Sequence, residues 1–212
     1  MSANFNHIAR AYRWLEYVSF GHALERCRFY FLPRLPKAQH ALVLGDGDGR
    51  FLQRLLVYNT SVLVDAVDVS PAMLTILVER CGTERVTIHC ADARTFTPPR
   101  AGYDRIATHF FLDCLTSAEC AALAERMTPY LAPHADWVVS EFRVPRGMLH
   151  VPAALLIRAM YACFRVMTGL EPQHLPAYEP ALRAVGFEVA EEKIFLRGLL
   201  VAQVWRRSTK LN

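Results

Sequence analysis

The sequence predicts an α/β fold, a mostly parallel sheet with helices on both faces. Three observations carry that expectation. An apolar run at 41–44 ends in glycines at alternate positions, Gly45, Gly47 and Gly49. Strand-like and helix-like stretches then alternate from residue 40 to residue 142. Two further strand-like stretches, 187–195 and 199–205, follow one another with only a turn at Arg197-Gly198 between them. Alternation argues for parallel pairing through right-handed crossovers, and a short turn between strands argues for a hairpin.

Residues 4–32 read as helical. Ile8, Tyr12, Leu15 and Val18 fall near helical spacing, as do Leu24, Cys27 and Phe31, and Gly21 separates two helices. Pro33 and Pro36 end this stretch before the first strand. The glycines after that strand permit positive φ and let a ligand lie against backbone. With a helix over 49–58, they form the first unit of a nucleotide-type site, where a ligand sits over the strand's carboxyl end beside a helix N-terminus. The turn does not have dinucleotide spacing, because the third glycine comes one residue early and Arg50 stands in its place. The Gly-Lys-Ser/Thr of a P-loop is missing, and a calcium-loop reading of Asp46 and Asp48 fails at Arg50, Phe51 and Val57. Without a ligand the same residues would be a tight strand–helix turn.

The second strand spans 62–69. Asp68 near its end lies about twenty residues past the glycines, where an acid accepts hydrogen bonds from ribose hydroxyls. Ser70 as N-cap and Pro71 at the first position open a helix over 71–81. Strands follow at 86–91 and 103–109. A helix over 116–131 starts with a capping box of Thr116 and Glu119, and a fifth strand covers 135–142. A helix over 147–168 interrupts the alternation. Its apolar face, from Met148 and Leu149 through Leu155, Leu156 and Met160, reads as the lid or wall of an apolar substrate pocket, or as packing on the core or a partner subunit. A membrane-surface role is the weaker reading, because its polar face is not rich in basic residues. Pro172, Pro176 and Pro180 mark a loop and a helix start; a helix over 181–185 ends at Gly186 in the C′ position.

The stretches Leu-Gly-Asp-Gly-Asp-Gly-Arg-Phe (44–51), Val-Asp-Val-Ser-Pro-Ala-Met-Leu (67–74), Cys-Ala-Asp-Ala (90–93) and Tyr-Asp-Arg-Ile-Ala-Thr-His-Phe-Phe (103–111) lie in order at consistent spacing. In them the chain resembles the class I S-adenosylmethionine-dependent methyltransferases, especially the small-molecule type that includes quinone-biosynthesis methyltransferases. The resemblance spans residues 38–142 and returns at 182–205. It implies a Rossmann-like seven-stranded, mostly parallel sheet with helices on both faces, an antiparallel C-terminal hairpin, N-terminal helices and a helical insertion after strand 5. The single domain would divide into an N-terminal helical cap (1–37), a cofactor-binding core (38–142), a helical lid (143–180) and a C-terminal helix and hairpin (181–212). One departure is Val43, where the family usually carries an acid two residues before the first glycine.

The resemblance also implies roles. S-adenosylmethionine would be held by Gly45, Gly47 and Gly49 against its methionine and ribose, and by Asp68 on the ribose hydroxyls. Val69 would also contact the cofactor, and Met73, Asp92 and the Ala93 N–H would address the adenine. Asp46 or Asp48 would compensate for Val43 at the methionine end, and Tyr12 would contact the cofactor from an N-terminal segment that closes over it. Met73 as core and Asp92 as the N-cap of a turn are the plain structural alternatives. His109, at the end of the fourth strand, would face the transferred methyl and, with Asp113, orient or deprotonate the acceptor; lining the pocket is its other role. Phe110, Phe111, Tyr161 and His174 would wall an acceptor that is small and apolar or aromatic. The alternative function is a cofactor-binding scaffold without transferase activity. A nicotinamide-dependent reductase is disfavoured by the glycine spacing.

Composition bounds the rest. The 212 residues make one domain with a sizeable core, 53% hydrophobic. Net charge is +4, with basic residues scattered, so nucleic-acid binding is not indicated. The six cysteines form no C-x-x-C pair and no zinc spacing, so no metal is expected, and they read as buried thiols in a reducing compartment. Arg10, Arg13 and Glu16 break any N-terminal apolar segment, and no window reaches ~18 uncharged apolar residues. The expectation is a cytoplasmic protein with no transmembrane segment; oligomeric state is not legible.

Overall fold

The computed structural model describes residues 22–168, 172 and 174–207. Seven strands, β1 (His40–Leu44), β2 (Leu63–Asp68), β3 (Val86–Cys90), β4 (Tyr103–His109), β5 (Leu131–Phe142), β6 (Phe187–Phe195) and β7 (Leu200–Arg207), form one sheet in the order β3-β2-β1-β4-β5-β7-β6. β1 to β5 pair in parallel, and β7 runs antiparallel to both of its neighbours. The chain winds outward from β1 in one direction to β3 and in the other from β4. The carboxyl ends of β1 and β4 therefore flank the switch point, where open α/β sheets leave a crevice for ligands.

Alternation along the strands assigns the helices to faces. Ala41 and Val43 of β1 pack with Phe51, Leu52 and Leu55 of α2 (Arg50–Tyr58) and with Leu74 and Leu77 of α3 (Pro71–Cys81). Leu42 and Leu44 pack on the other side with Cys120, Leu123 and Met127 of α4 (Ser117–Met127) and with Ala181 and Leu182 of α6 (Tyr178–Ala184). A short N-terminal helix, α1 (Ala23–Phe29), places Leu24 and Cys27 against Phe142, Leu200 and Val204 on the α2 side. Helix α5 (His150–Thr168) follows β5 and a Gly147–Leu149 turn, and packs on the rest with Ile157, Met160 and Tyr161 among its contacts.

The caps read from the sequence are present. Met73 N–H donates to Ser70 Oγ at 3.3 Å, and the Thr116–Glu119 capping box closes at both bonds. Several element boundaries differ from expectation: β5 begins at Leu131 rather than 135, α5 begins at His150 rather than 147, and two further shifts turn on prolines. α4 ends at Met127, four residues short of 131, because Pro129 cannot continue the α-helical ladder and the chain takes a Thr128–Tyr130 turn straight into β5. α6 begins at Tyr178 rather than 181: Pro180 sits in its first turn, where a missing N–H costs nothing. Asp65 sits buried within β2 because Tyr103 O–H donates to it at 2.8 Å and His89 Nε2 lies 2.7 Å away. The N-terminal helix expected before residue 22 falls outside the described residues.

Gly49 shows why the third glycine is needed. Its φ is +78°, and a Cβ there would lie 2.9 Å from Leu77 Cγ, so its work is close packing of α2 on α3. Gly186, at φ +86°, has nothing within 4 Å of such a Cβ. Gly49→Ala is expected to lower stability by about 2–4 kcal/mol, strain plus overpacking, against about 1–2 kcal/mol for Gly186→Ala, read from urea-unfolding midpoints.

Candidate active site

The bend after β1 is fixed from both ends. Gly45 N–H donates to Val67 O at 2.9 Å, which holds it against β2. Gly47 N–H donates to Asp68 Oδ2 at 3.1 Å, and Ser70 N–H donates to Asp68 Oδ1 at 2.9 Å. One carboxylate thus joins the first and second strand–helix turns. Burial raises the Asp68 pKa, opposed by the N–H donors of Ser70, Gly47 and Val69. At Gly45, with φ +68°, a Cβ would stand 2.2 Å from the Phe111 ring, so this glycine admits an aromatic side chain from the β4 end. At Gly47, with φ +61°, the same atom would meet only Met73 Sδ, at 3.7 Å. The open face of the bend is therefore at Gly47, bordered by Asp68 and the buried Met73.

Asp46 turns the other way. Phe51 N–H and Leu52 N–H donate to its two carboxylate oxygens at 3.2 and 2.8 Å, so it caps α2. Val43 is buried among Phe51, Leu52 and Ala107, a setting that excludes an unpaired acid. Both Asp46 oxygens thus serve the first turn of the helix.

On the β3 side, Asp92 is chelated by Arg94, whose Nε lies 3.0 Å from each oxygen and whose Nη2 lies 2.6 Å from Oδ2. Arg94 holds the Asp92 carboxyl below the usual carboxylate range, and its Nη1 reaches Glu119 at 2.8 Å. Thr95 N–H and Phe96 N–H donate to the Asp92 carbonyl, so this residue also begins a turn, as the plain alternative held. Ala93 is buried and Val69 exposed.

The residues after β4 divide between the two faces of the sheet. His109 is buried on the α1–α2 side. Its Nδ1 lies 2.9 Å from Ser140 Oγ, and its ring centroid is 4.1 Å from that of Phe51. Burial, then the Arg28 cation, holds its pKa well below the usual imidazole value, so the ring is neutral and a poor proton acceptor. Phe110, strained at φ +53°, packs with Phe142 and under Arg28 on that same side, away from the predicted pocket wall.

Asp113 lies on the α4 side with Glu141. Glu141 Oε1 accepts from Phe111 N–H at 3.1 Å and Leu112 N–H at 2.8 Å, and Asp113 N–H adds a third donor. Glu141 Oε2 is buried with no hydrogen-bond partner among the described residues. Burial, then the Asp113 charge, raises Glu141 well above the usual carboxylate range. Tyr161 O–H, from α5, donates to the Asp113 carbonyl at 2.8 Å. The predicted His109–Asp113 pair is thus replaced by an Asp113–Glu141 carboxyl pair, because successive residues of β5, Ser140 and Glu141, point to opposite faces. The structure brings Phe111 and Tyr161 to Asp113 but leaves His174 exposed in its loop. Tyr12 lies outside the described residues. The sequence reading missed Glu141; its signal was an acid at the carboxyl end of the apolar run Trp137-Val138-Val139-Ser140-Glu141.

Residues 41–134 match the family model described as a methyltransferase domain. Three solved structures share the fold. The pyocyanin biosynthetic protein PhzM is 17% identical, over 97% of this chain and 62% of that one, with a TM-score of 0.67. An O-methyltransferase family 2 protein from Planctomyces limnophilus, in complex with apigenin, is 18% identical over 94% and 62%, at 0.68. N-methyltransferase NodS from Bradyrhizobium japonicum, in complex with S-adenosyl-L-homocysteine, is 15% identical over 87% and 83%, at 0.59. The chain spans about three fifths of the length of the first two. No curated protein matches it in sequence. Residues 41–134 thus match a methyltransferase domain on a fold shared with these structures, and the cofactor that such a domain implies is S-adenosylmethionine. The open face at Gly47 fits that cofactor. So does Asp68, whose two oxygens retain acceptor capacity beside the N–H bonds they already take.

Burial pushes the Asp46 carboxyl up to about 6, against the lowering effect of Arg28 and of the Leu52 and Phe51 N–H groups. A raised carboxyl keeps its proton longer in the folded state, so its contribution favours folding at low pH and is lost as pH rises from about 4 to about 6. In Asp46→Asn that slope is expected to vanish. Urea unfolding of the two proteins should show the variant gaining about 2 kcal/mol on the parent across this window.

Proposed function

We propose that the chain transfers the methyl group of S-adenosylmethionine to a small apolar or aromatic acceptor. The carrying observation is the open bend at Gly47 set against Asp68, at the switch point of a methyltransferase domain. When bound, the cofactor supplies an activated methyl group; the protein's task is alignment and exclusion of water. In this reading Asp68 accepts the ribose hydroxyls with the lone pairs that Gly47 and Ser70 leave. Val69, Met73 and Ala93 flank the adenine, and Asp92, steadied by Arg94, bounds that side. Gly49 and Asp46 serve the bend indirectly, by seating α2.

The acceptor side is Asp113, walled by Phe111 and Tyr161. Asp113 orients or deprotonates a hydroxyl-type acceptor, and Glu141, raised by burial and by the Asp113 charge, keeps its own proton. His109 acts as a neutral wall. Aromatic and apolar lining with few polar groups suits a flat or greasy molecule, and the apigenin complex of the Planctomyces limnophilus protein supports a small-molecule acceptor for this fold.

Calorimetric titration with S-adenosylhomocysteine tests the first half. Binding is expected in the parent, and Asp68→Ala is expected to weaken it by at least about tenfold, the equivalent of one charge-assisted hydrogen bond. Binding without methyl transfer to any of a broad panel of aromatic and lipid acceptors would instead leave a cofactor-binding scaffold. No binding at all would end the proposal.

For the acceptor side, Asp113→Asn is expected to lower kcat for a hydroxyl acceptor by about 100-fold, the usual size of a general-base contribution. His109→Gln should leave the shape of the pH–rate profile unchanged between about pH 6 and pH 9, since the buried ring does not titrate there. A profile reshaped by the His109 variant and untouched by the Asp113 variant would reverse the assignment.

A further inference from the structure

Helix α5 is apolar on two opposite sides. Ile157 and Tyr161, one turn apart, are buried against Cys114, Val144, Leu175 and Leu199. Half a turn round, Met148 of the preceding turn and Val151 and Leu155 of the helix are 96%, 64% and 59% exposed. Leu149 and Leu156 border them, and Ala159 and Ala162 continue the stripe, all exposed. A surface helix ordinarily turns charge to water, and one that is apolar all round is ordinarily covered.

The polar groups beside the stripe are of one kind. From Phe142 to Leu170 the chain has no Asp or Glu, and its charged residues are Arg143, Arg146, Arg158 and Arg165. Arg143 is paired with Glu179 and Glu192. Arg146, Arg158 and Arg165 are exposed, with no acidic partner among the described residues. Arg158 stands one turn beyond Leu155, and Arg165 one turn beyond Ala162, so both edge the stripe. Between Arg146 and Arg165 there is no Asn, Gln, Ser or Thr either. The face therefore offers cationic donors and hydrocarbon, and almost nothing that could accept a directional hydrogen bond from a protein partner.

We propose that this face of α5 docks on an anionic phospholipid surface. Met148, Val151 and Leu155 enter the boundary between headgroups and acyl chains, and Arg146, Arg158 and Arg165 meet lipid phosphates. The helix lies in the plane of the surface; no helix among the described residues is long and apolar enough to cross a membrane. Basic residues are few, which argues against such a role on composition alone, but the exposure of the stripe and the lack of any acid across the whole segment argue for it. A second copy is the poorer occupant, because pairing this face with itself would bring the same arginines together with no acid in the segment to neutralise them.

The test is sedimentation of the full chain with sucrose-loaded vesicles, without cofactor or acceptor, so its outcome is independent of the methyl-transfer reading. Partition onto phosphatidylcholine vesicles containing about one third phosphatidylglycerol should exceed that onto phosphatidylcholine alone by at least about tenfold, and fall towards it at high salt. Leu155→Asp and the double variant Arg158→Glu/Arg165→Glu should each cut the anionic partition by about tenfold while keeping the parent's unfolding midpoint to within a few degrees. Equal or absent binding to the two vesicle types, or binding untouched by both variants, would overturn the proposal. So would a concentration-dependent dimer in analytical ultracentrifugation that Leu155→Asp dissolves, which would give the face to a second copy.

Discussion

The hydrogen bonds to the Asp68 carboxylate are the constraint on which the rest of the site depends. This one group, at the carboxyl end of β2, accepts from the bend after β1 through Gly47 and from the start of α3 through Ser70. Two loops from different strand–helix units are thereby registered to each other. The position is electrostatically favoured, since Asp68 lies just ahead of the α3 N-terminus, where the helix dipole is positive. It is also lonely. Val43, in the place where an acid would otherwise face the same bend, is packed under α2, and Asp46 has both oxygens on the first turn of that helix. The bend therefore has a single carboxylate facing it from the strand ends.

Most of the fold was legible because periodicity and punctuation agree. Gly45, Gly47 and Gly49, the Ser70-Pro71 start and the Thr116–Glu119 box all act locally, within a few residues of where they stand, and local chemistry can be read from a line of letters. The errors at 128–131 and 178–180 concern prolines whose effect depends on which turn of a helix they occupy. Pro129 follows the last α-helical turn and stops it, whereas Pro180 lies in a first turn that tolerates it. The glycines carried the right signal for mixed reasons. Gly45 makes room for Phe111 and Gly49 for Leu77, so two of the three answer to packing and only Gly47 faces open space.

The site was less legible, because side-chain direction at strand ends turns on register. His109 and Asp113 are four apart, a spacing that invites pairing on a helix but not across the end of a strand. β4 and β5 place His109 directly beside Ser140, and the side chains of both point to α1. Glu141, one residue further along β5, must then face α4, where the chain turns Phe111, Leu112 and Asp113 back over it. No spacing rule within either segment announces that meeting; it needs the pairing of two strands about thirty residues apart.

The two faces also divide the proton chemistry. On the α1–α2 side a buried imidazole lies near the Arg28 guanidinium, and both burial and that cation oppose adding a proton. On the α4 side two carboxyls lie together among Phe111, Tyr161 and Cys114, and burial and mutual repulsion both oppose removing the last proton. A group able to accept a proton near neutral pH needs an environment that raises a carboxyl or leaves an imidazole solvated. Only the second face supplies either condition. The backbone N–H groups converging on Glu141 Oε1 hold that carboxyl in place, and Tyr161 fastens the Asp113 carbonyl to α5, so in the proposed reading it is the Asp113 side chain that meets the acceptor.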